Sequence, residues 1–166
     1  NAETVLEEIG VNFVENPETV FEDLREVQPH VFFAVPRVWE KIYSQVMITL
    51  SEAGDMQKAA YAWALEANAQ DSRARSAGEA VGGWTALKAR IARTLVINNV
   101  RRMLGLDRVQ LALTGAAPIS ADLIRWYQGL GIPLREGWGM TETCGGGSIN
   151  PRRASKPGSV GIPGPG

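Results

Sequence analysis

The pattern of apolar and polar positions divides the chain into three zones. In the first, from Thr4 to Pro36, the run IGVNFV (Ile9–Val14) predicts a short strand. Asn16 followed by Pro17 predicts a helix start, with Asn as N-cap and Pro at the first helical position. Val20, Phe21 and Leu24 follow at helical spacing, and Pro29 closes the segment. VFFAV (Val31–Val35) is a continuous apolar run rich in β-branched and aromatic residues. It predicts a strand buried on both faces, as in a parallel sheet.

The second zone, Arg37 to Leu104, carries a helical period. Val38, Ile42, Val46 and Leu50 recur every four residues, and Trp39, Tyr43 and Met47 widen the stripe. Gly54 predicts a stop; an Ala-rich helix follows from Gln57 to Ala77, with Trp63 on it, and Gly78 ends it. After Gly82 and Gly83 a further periodic segment starts with Trp84, Leu87, Ile91 and Leu95. Trp39, Trp63, Trp84 and Trp126 are all expected to serve packing. The third zone opens on VQLAL (Val109–Leu113), a second buried-strand candidate followed by TGAAPIS. Ser120 predicts the cap of a helix carrying Leu123, Ile124, Trp126 and Tyr127. GLGIP ends that helix, and a short strand is expected to lead into LREGWGMTETCGGG (Leu134–Gly147). From Asn150 the chain is rich in Pro, Gly and Ser and reads as a loop.

Strands alternating with helices predict an α/β fold with a mainly parallel sheet, flanking helices and a helical insertion over residues 37–104 of one unit spanning 1–166. The bulk numbers agree with a globular domain: 166 residues, 45% hydrophobic, 21% charged and a formal net charge of −1. With no basic excess, nucleic acid is not an expected partner. No apolar run approaches the roughly 20 residues of a membrane span. The start lacks the basic and apolar regions of a signal peptide, and the single Cys144 rules out an internal disulfide or a CxxC metal site. A reducing, cytoplasmic setting is the simplest expectation. Asn1–Ala2 are compatible with a cleavage remnant, and an ending on PGPG leads us to expect that the natural protein continues.

Both unusual loops, TGAAP and GWGMTET, fall just after strand candidates. In open α/β sheets ligands bind beyond the carboxyl ends of the strands. Gly lets backbone amides approach a ligand, and successive amides form anion-binding nests. Thr141 and Thr143 offer hydroxyls to phosphate oxygens. Glu142 offers a hard oxygen to Mg²⁺, which takes one or two carboxylates and completes its shell with phosphate and water. Trp138 offers a flat face to a base. These parts suit a nucleoside phosphate with its metal; a Gly-rich connection with Trp138 packed inward is the alternative.

LTGAAPIS, LREGWGMTET and the upstream VFFAVPRVWEKI together resemble the adenylate-forming family of acyl-CoA synthetases. GWGMTET is similar to that family's Y/W-G-x-T-E signature. VPRVWEKI and the long helical zone resemble the long-chain fatty acid CoA ligase branch. The resemblance covers nearly the whole chain, but only the middle of a family member, within the large N-terminal domain. It implies activation of a long-chain fatty acid with ATP and Mg²⁺ to an acyl-adenylate, then thioester formation with coenzyme A, and is compatible with peripheral membrane contact. By this resemblance Gly115, Ala116 and Ala117 lie along the adenine and acyl-phosphate region. Glu136, Gly137, Trp138 and Gly139 border the nucleotide, with Trp138 in the place of the stacking aromatic. Thr141 contacts phosphate and Glu142 holds the metal, the pair carrying the chemistry. Gly139 and Met140 border the acyl chain. Glu136 stands where luciferase-like members often have Gln, which favours the long-chain branch.

The family's phosphate loop with its Lys (S-G-T-T-G-x-P-K) is absent from these residues. Lys41, Lys58, Lys88 and Lys156 lie in no such loop, and SKPGS (Ser155–Ser159) does not replace it. The ribose-binding Asp motif and the domain with the catalytic Lys are absent as well. This chain alone is therefore expected not to turn over substrate, and a non-catalytic nucleotide-binding module, or a ligase for another carboxylate, is the competing reading. His30 has no placed partner acid and Cys144 no placed base, so neither is expected to be catalytic. Arg152 and Arg153 read as an exposed pair. Glu40, Glu52, Glu66 and Glu79 in the helical zone argue against a basic membrane face.

Overall fold

The apolar runs become strands and the periodic segments become helices in the computed structural model, which describes residues 10–14, 16, 18–77, 82–143, 145–151 and 156–164. Asn1, Ala2, Ile9, Pro17, Gly78, Glu79, Cys144, Arg152, Arg153 and Ser155 lie outside the described residues. In chain order come α1 (Val20–Val27), β1 (Val31–Ala34), α2 (Pro36–Glu52), α3 (Asp55–Ala77) and α4 (Gly83–Ala92). A π-helical turn (Arg93–Ile97) runs from α4 into α5 (Asn98–Met103). Then come β2 (Leu111–Thr114), α6 (Ala121–Gly129), β3 (Leu134–Trp138), a 3₁₀ turn (Thr141–Thr143), β4 (Ser148–Ile149) and β5 (Ile162–Pro163).

The five strands form one sheet in the order β1-β2-β3-β4-β5. β1, β2 and β3 are parallel, whereas β4 and β5 pair antiparallel. The sheet is thus mixed, which corrects the expectation of a mainly parallel one. The connection 139–147 is shorter than the dozen or so residues a parallel crossover takes, so β4 returns against β3. β5 lies in the segment expected to be loop.

Register fixes which side chains meet. Phe32, Ala112 and Leu134 share one row, and Ala34, Thr114 and Glu136 the next; both rows are buried. The opposite side carries Val31 and Phe33, which are exposed, as is Val35 just after the strand. β1 is therefore buried on one face, not on both as its continuous apolar run predicts. Residues 10–14 form no strand, and Val11, Phe13 and Val14 are exposed. α1 starts at Val20 behind Thr19, not at Asn16, whose Oδ1 instead accepts a hydrogen bond from Glu18 N at 2.9 Å.

An aromatic chain joins sheet and helices. Phe32 meets Trp39 edge-on at 5.0 Å, Trp39 meets Tyr127 at 4.9 Å, Tyr127 meets Trp126 at 4.7 Å and Trp126 meets Tyr43 at 4.9 Å. Edge-to-face pairs of this kind add to area burial. Three of the polar handles are satisfied. Trp39 Nε1 donates to Ala34 O at 3.1 Å, Tyr127 Oη to Trp39 O at 2.6 Å, and Trp126 Nε1 to Tyr61 Oη at 3.0 Å. Burial pushes the Tyr61 phenol up to about 12, and that of Tyr127 well above its ordinary value.

α2 buries Trp39, Ile42 and Val46 along the expected stripe, with Val38, Tyr43, Met47 and Leu50 packed at its margins. Trp63 and Trp84 correct the packing expectation, for both are exposed. α4 buries Ala89 and Ala92 and turns Trp84, Leu87 and Ile91 outward, with Leu95 of the π turn exposed beside them. A helical period identifies a stripe but not the side it faces.

Candidate functional site

β2 and β3 end side by side, and both singled-out loops leave from their carboxyl ends. Thr114 and Glu136 close the buried row there as register partners. Among the described residues, Thr114 Oγ1 and Glu136 Oε2 are buried without a hydrogen-bond partner. Burial raises the Glu136 carboxyl above its ordinary value, and a backbone hydrogen bond from Ile119 offsets this only in part. An oxygen left unpaired in such a place costs free energy unless a ligand or water supplies a partner.

The loop after β2 begins against β3. A Cβ on Gly115 would stand 3.2 Å from Gly137 O, so the two backbones run in close contact. Ala116 takes φ +69, a left-handed conformation uncommon outside Gly, and both it and Ala117 are exposed.

The loop after β3 is strapped to itself. Gly147 N donates to Trp138 O at 2.9 Å, and Gly145 N to Met140 O at 2.9 Å. Thr143 Oγ1 accepts from Met140 N and donates to Met140 O, each at 3.0 Å. The glycines permit this closure. A Cβ on Gly139 would fall 2.1 Å from Gly145 O, and one on Gly147 only 2.7 Å from the Trp138 indole. Trp138 and Met140 are about half exposed, and Thr141 and Glu142 stand exposed on the 3₁₀ turn. Thr143, read from sequence as a phosphate donor, is instead committed to the loop's own backbone.

The structure thus joins Gly115 to Gly137 and sets Glu136, Trp138, Met140, Thr141 and Glu142 along one strand end and its loop. Among the described residues no three His, Cys, Asp or Glu side chains gather as a metal cluster. Glu142 stands as one exposed carboxylate, which suits a metal completed by phosphate and water.

Two residues escaped the sequence reading. Thr114 lay inside a quoted motif, but its pairing with Glu136 depends on register. Asn150 carried only the signal of an Asn-Pro step. It is buried; its N–H donates to Glu136 O at 3.1 Å, its Oδ1 accepts from Lys156 N at 3.1 Å, and its Nδ2 donates to Ser159 O. It fixes the back of β3 to the returning chain.

The model of the AMP-binding enzyme family matches residues 4–166. The chain belongs to the AMP-binding enzyme family. Within curated proteins it is 35% identical over 144 residues to fadD11 of Mycobacterium tuberculosis, which carries a fatty-acid–CoA ligase name. That alignment covers 86% of this chain and 25% of the relative. It is also 35% identical over 127 residues to the long-chain-fatty-acid–CoA ligase ACSBG2 of Gallus gallus, covering 76% of this chain and 16% of the relative. Against human ACSBG2 the identity is 31% over 132 residues, covering 80% of this chain and 19% of the relative. The chain therefore spans a quarter or less of these AMP-binding relatives. No solved structure matches it.

Proposed function

We propose that the chain forms the adenine and metal half of a long-chain fatty acid CoA ligase site. The observation that carries this reading is the pair of oxygens on Thr114 and Glu136, buried without a partner among the described residues, beside the two loops that leave β2 and β3. Relatives bearing fatty-acid–CoA ligase names supply the substrate class.

In this reading a fatty acid carboxylate attacks the α-phosphorus of ATP, and the bond to pyrophosphate breaks. The thiol of coenzyme A then attacks the acyl carbonyl; the bond to AMP breaks and the thiol proton is lost. The first step brings two anions together, so alignment and charge neutralisation dominate its barrier. Trp138 presents its indole face to the adenine, held level by Gly147. The backbones of Gly115, Ala116 and Ala117 line the adenine and acyl-phosphate region beside Gly137. Glu136 and Thr114 offer buried polar atoms to the nucleotide end. Thr141 donates its hydroxyl to a phosphate oxygen, and Gly139 and Met140 border the acyl chain. Glu142 would hold Mg²⁺, which neutralises phosphate charge when bound. These residues supply half a site, and the isolated chain is not expected to turn over.

The test is fatty-acid-dependent exchange of pyrophosphate into ATP by the full-length protein. Glu142→Ala lowers exchange by about a hundredfold or more, in the range seen when one charge-stabilising group is removed. Unchanged exchange in that variant removes Glu142 from the metal site. Absence of exchange in the wild type, with nucleotide still bound, favours the non-catalytic module.

A further inference from the structure

Residues 115–119 leave β2 as an arch whose two feet rest on Glu136 and Gly137, consecutive residues of β3. At the first foot Gly115 lies so close to β3 that a Cβ on it would stand 3.2 Å from Gly137 O. At the second foot Ile119 N donates a hydrogen bond to the Glu136 carboxyl. Glu136 Oε2 has no partner among the described residues, so that bond falls on Oε1. Gly115 and Ile119 are buried, whereas Ala116, Ala117 and Pro118 between them are exposed. Directly after Ile119 the chain enters α6 behind the Ser120 cap.

Ala116 stands on the arch with φ +69. A residue with a Cβ keeps a left-handed conformation only where the surrounding structure over-determines it. Ala116 is exposed, so the constraint reaches it through the backbone from the two feet. The first foot is backbone against backbone. The second depends on one side chain, and it needs an acceptor rather than a charge, because an amide oxygen in the same place accepts the same bond.

We propose that Glu136 is a positioning residue, which through Ile119 N holds the arch 116–118 in the shape that meets the nucleotide. The proposal rests on the ligase reading of this site and gives Glu136 a part separate from any contact with the base. A group that touches the nucleotide acts through its own charge and lone pairs. A group that holds the arch acts by ordering backbone before the ligand arrives, which lowers the cost of binding. Losing it weakens ground-state and transition-state binding alike, so the effect falls on KM for ATP and not on kcat.

The test joins native-state amide exchange at Ile119 to fatty-acid-dependent pyrophosphate exchange, both on the full-length protein. Glu136→Met keeps the length of the side chain and removes the acceptor, whereas Glu136→Gln keeps both. In Glu136→Met the Ile119 amide exchanges at least about tenfold faster, while the amides of β2 and β3 keep their protection. KM for ATP rises at least about fivefold with kcat within about twofold of wild type. Glu136→Gln returns both the Ile119 protection and the KM to near wild-type values. Unchanged Ile119 protection in Glu136→Met overturns the proposal, as does a wild-type Ile119 amide that exchanges as freely as those of Ala116 and Ala117. A Glu136→Gln variant with Ile119 protected but KM raised as far as in Glu136→Met also overturns it, and assigns Glu136 to direct contact through its charge. Faster exchange throughout β2 and β3 in Glu136→Met overturns it too, and confines the residue to the stability of the sheet. If the wild type shows no pyrophosphate exchange, the ligase reading fails by itself, and Ile119 protection with the Kd for ATP in the three proteins decides the positioning role.

Discussion

Thr114, the last residue of β2, sits beside Glu136 in the middle of β3, and each keeps a buried side-chain oxygen without a hydrogen-bond partner among the described residues. The burial of Glu136 gives the site its own pH signature. Burial raises the Glu136 carboxyl in the folded chain, so the folded state holds the proton more tightly than the unfolded state. Stability from this group is therefore full below the unfolded value and is lost as pH rises through the folded one. Urea midpoints measured from pH 4 upward should show this loss in the wild type and not in Glu136→Gln. Parallel pH profiles would mean that Glu136 ionises without penalty.

The strap behind Trp138 should fail through backbone, not charge. Gly139→Ala places a methyl where Gly145 O stands, and the neighbour is main chain that cannot rotate away. Overpacking of this kind costs about 1–3 kcal/mol. The urea midpoint should fall, and nucleotide binding should weaken although no functional group has been removed. Unchanged stability and binding would show that the loop closes differently.

The aromatic chain predicts a graded stability series. Tyr127→Phe removes the hydroxyl that donates to Trp39 O and should cost about 1 kcal/mol. Trp39→Ala deletes the ring between Phe32 and Tyr127 and should cost about 3–5 kcal/mol. Equal costs in chemical denaturation would contradict the central place given to Trp39.

Asn150 tests positioning apart from contact. Asn150→Ala removes the side-chain bonds to Lys156 N and Ser159 O and should cost about 1–3 kcal/mol. Because Asn150 N also holds Glu136 O, loosening the returning chain should weaken nucleotide binding as well. Normal binding at reduced stability would confine the residue to the fold.

Local signals carried the element types. The stripe recurring every four residues on α2, the Ser120 cap, whose Oγ accepts from Asp122 N, and the VFFAV run all act within one helix or strand. What the pattern could not give depends on partners distant in sequence. The open side of β1 depends on what lies over Phe33, and the outward turn of Trp84 on the small face α4 offers to α3. The antiparallel arm depends on how far nine loop positions can carry the chain. The site divides in the same way. Glu136 through Glu142 could be singled out as candidates because they are contiguous, whereas the placement of Thr114 and Asn150 beside them follows only from register and a long-range hydrogen bond.

We propose a preformed adenine place on Trp138 joined to a phosphate and metal place at Thr141 and Glu142. The most direct measurement is titration of the chain with a non-hydrolysable acyl-adenylate analogue and Mg²⁺, followed by Trp emission, with Trp138→Ala as control. Saturable quenching that disappears in the variant is expected. Quenching of the same size in Trp138→Ala, or no binding by the wild type, would contradict it.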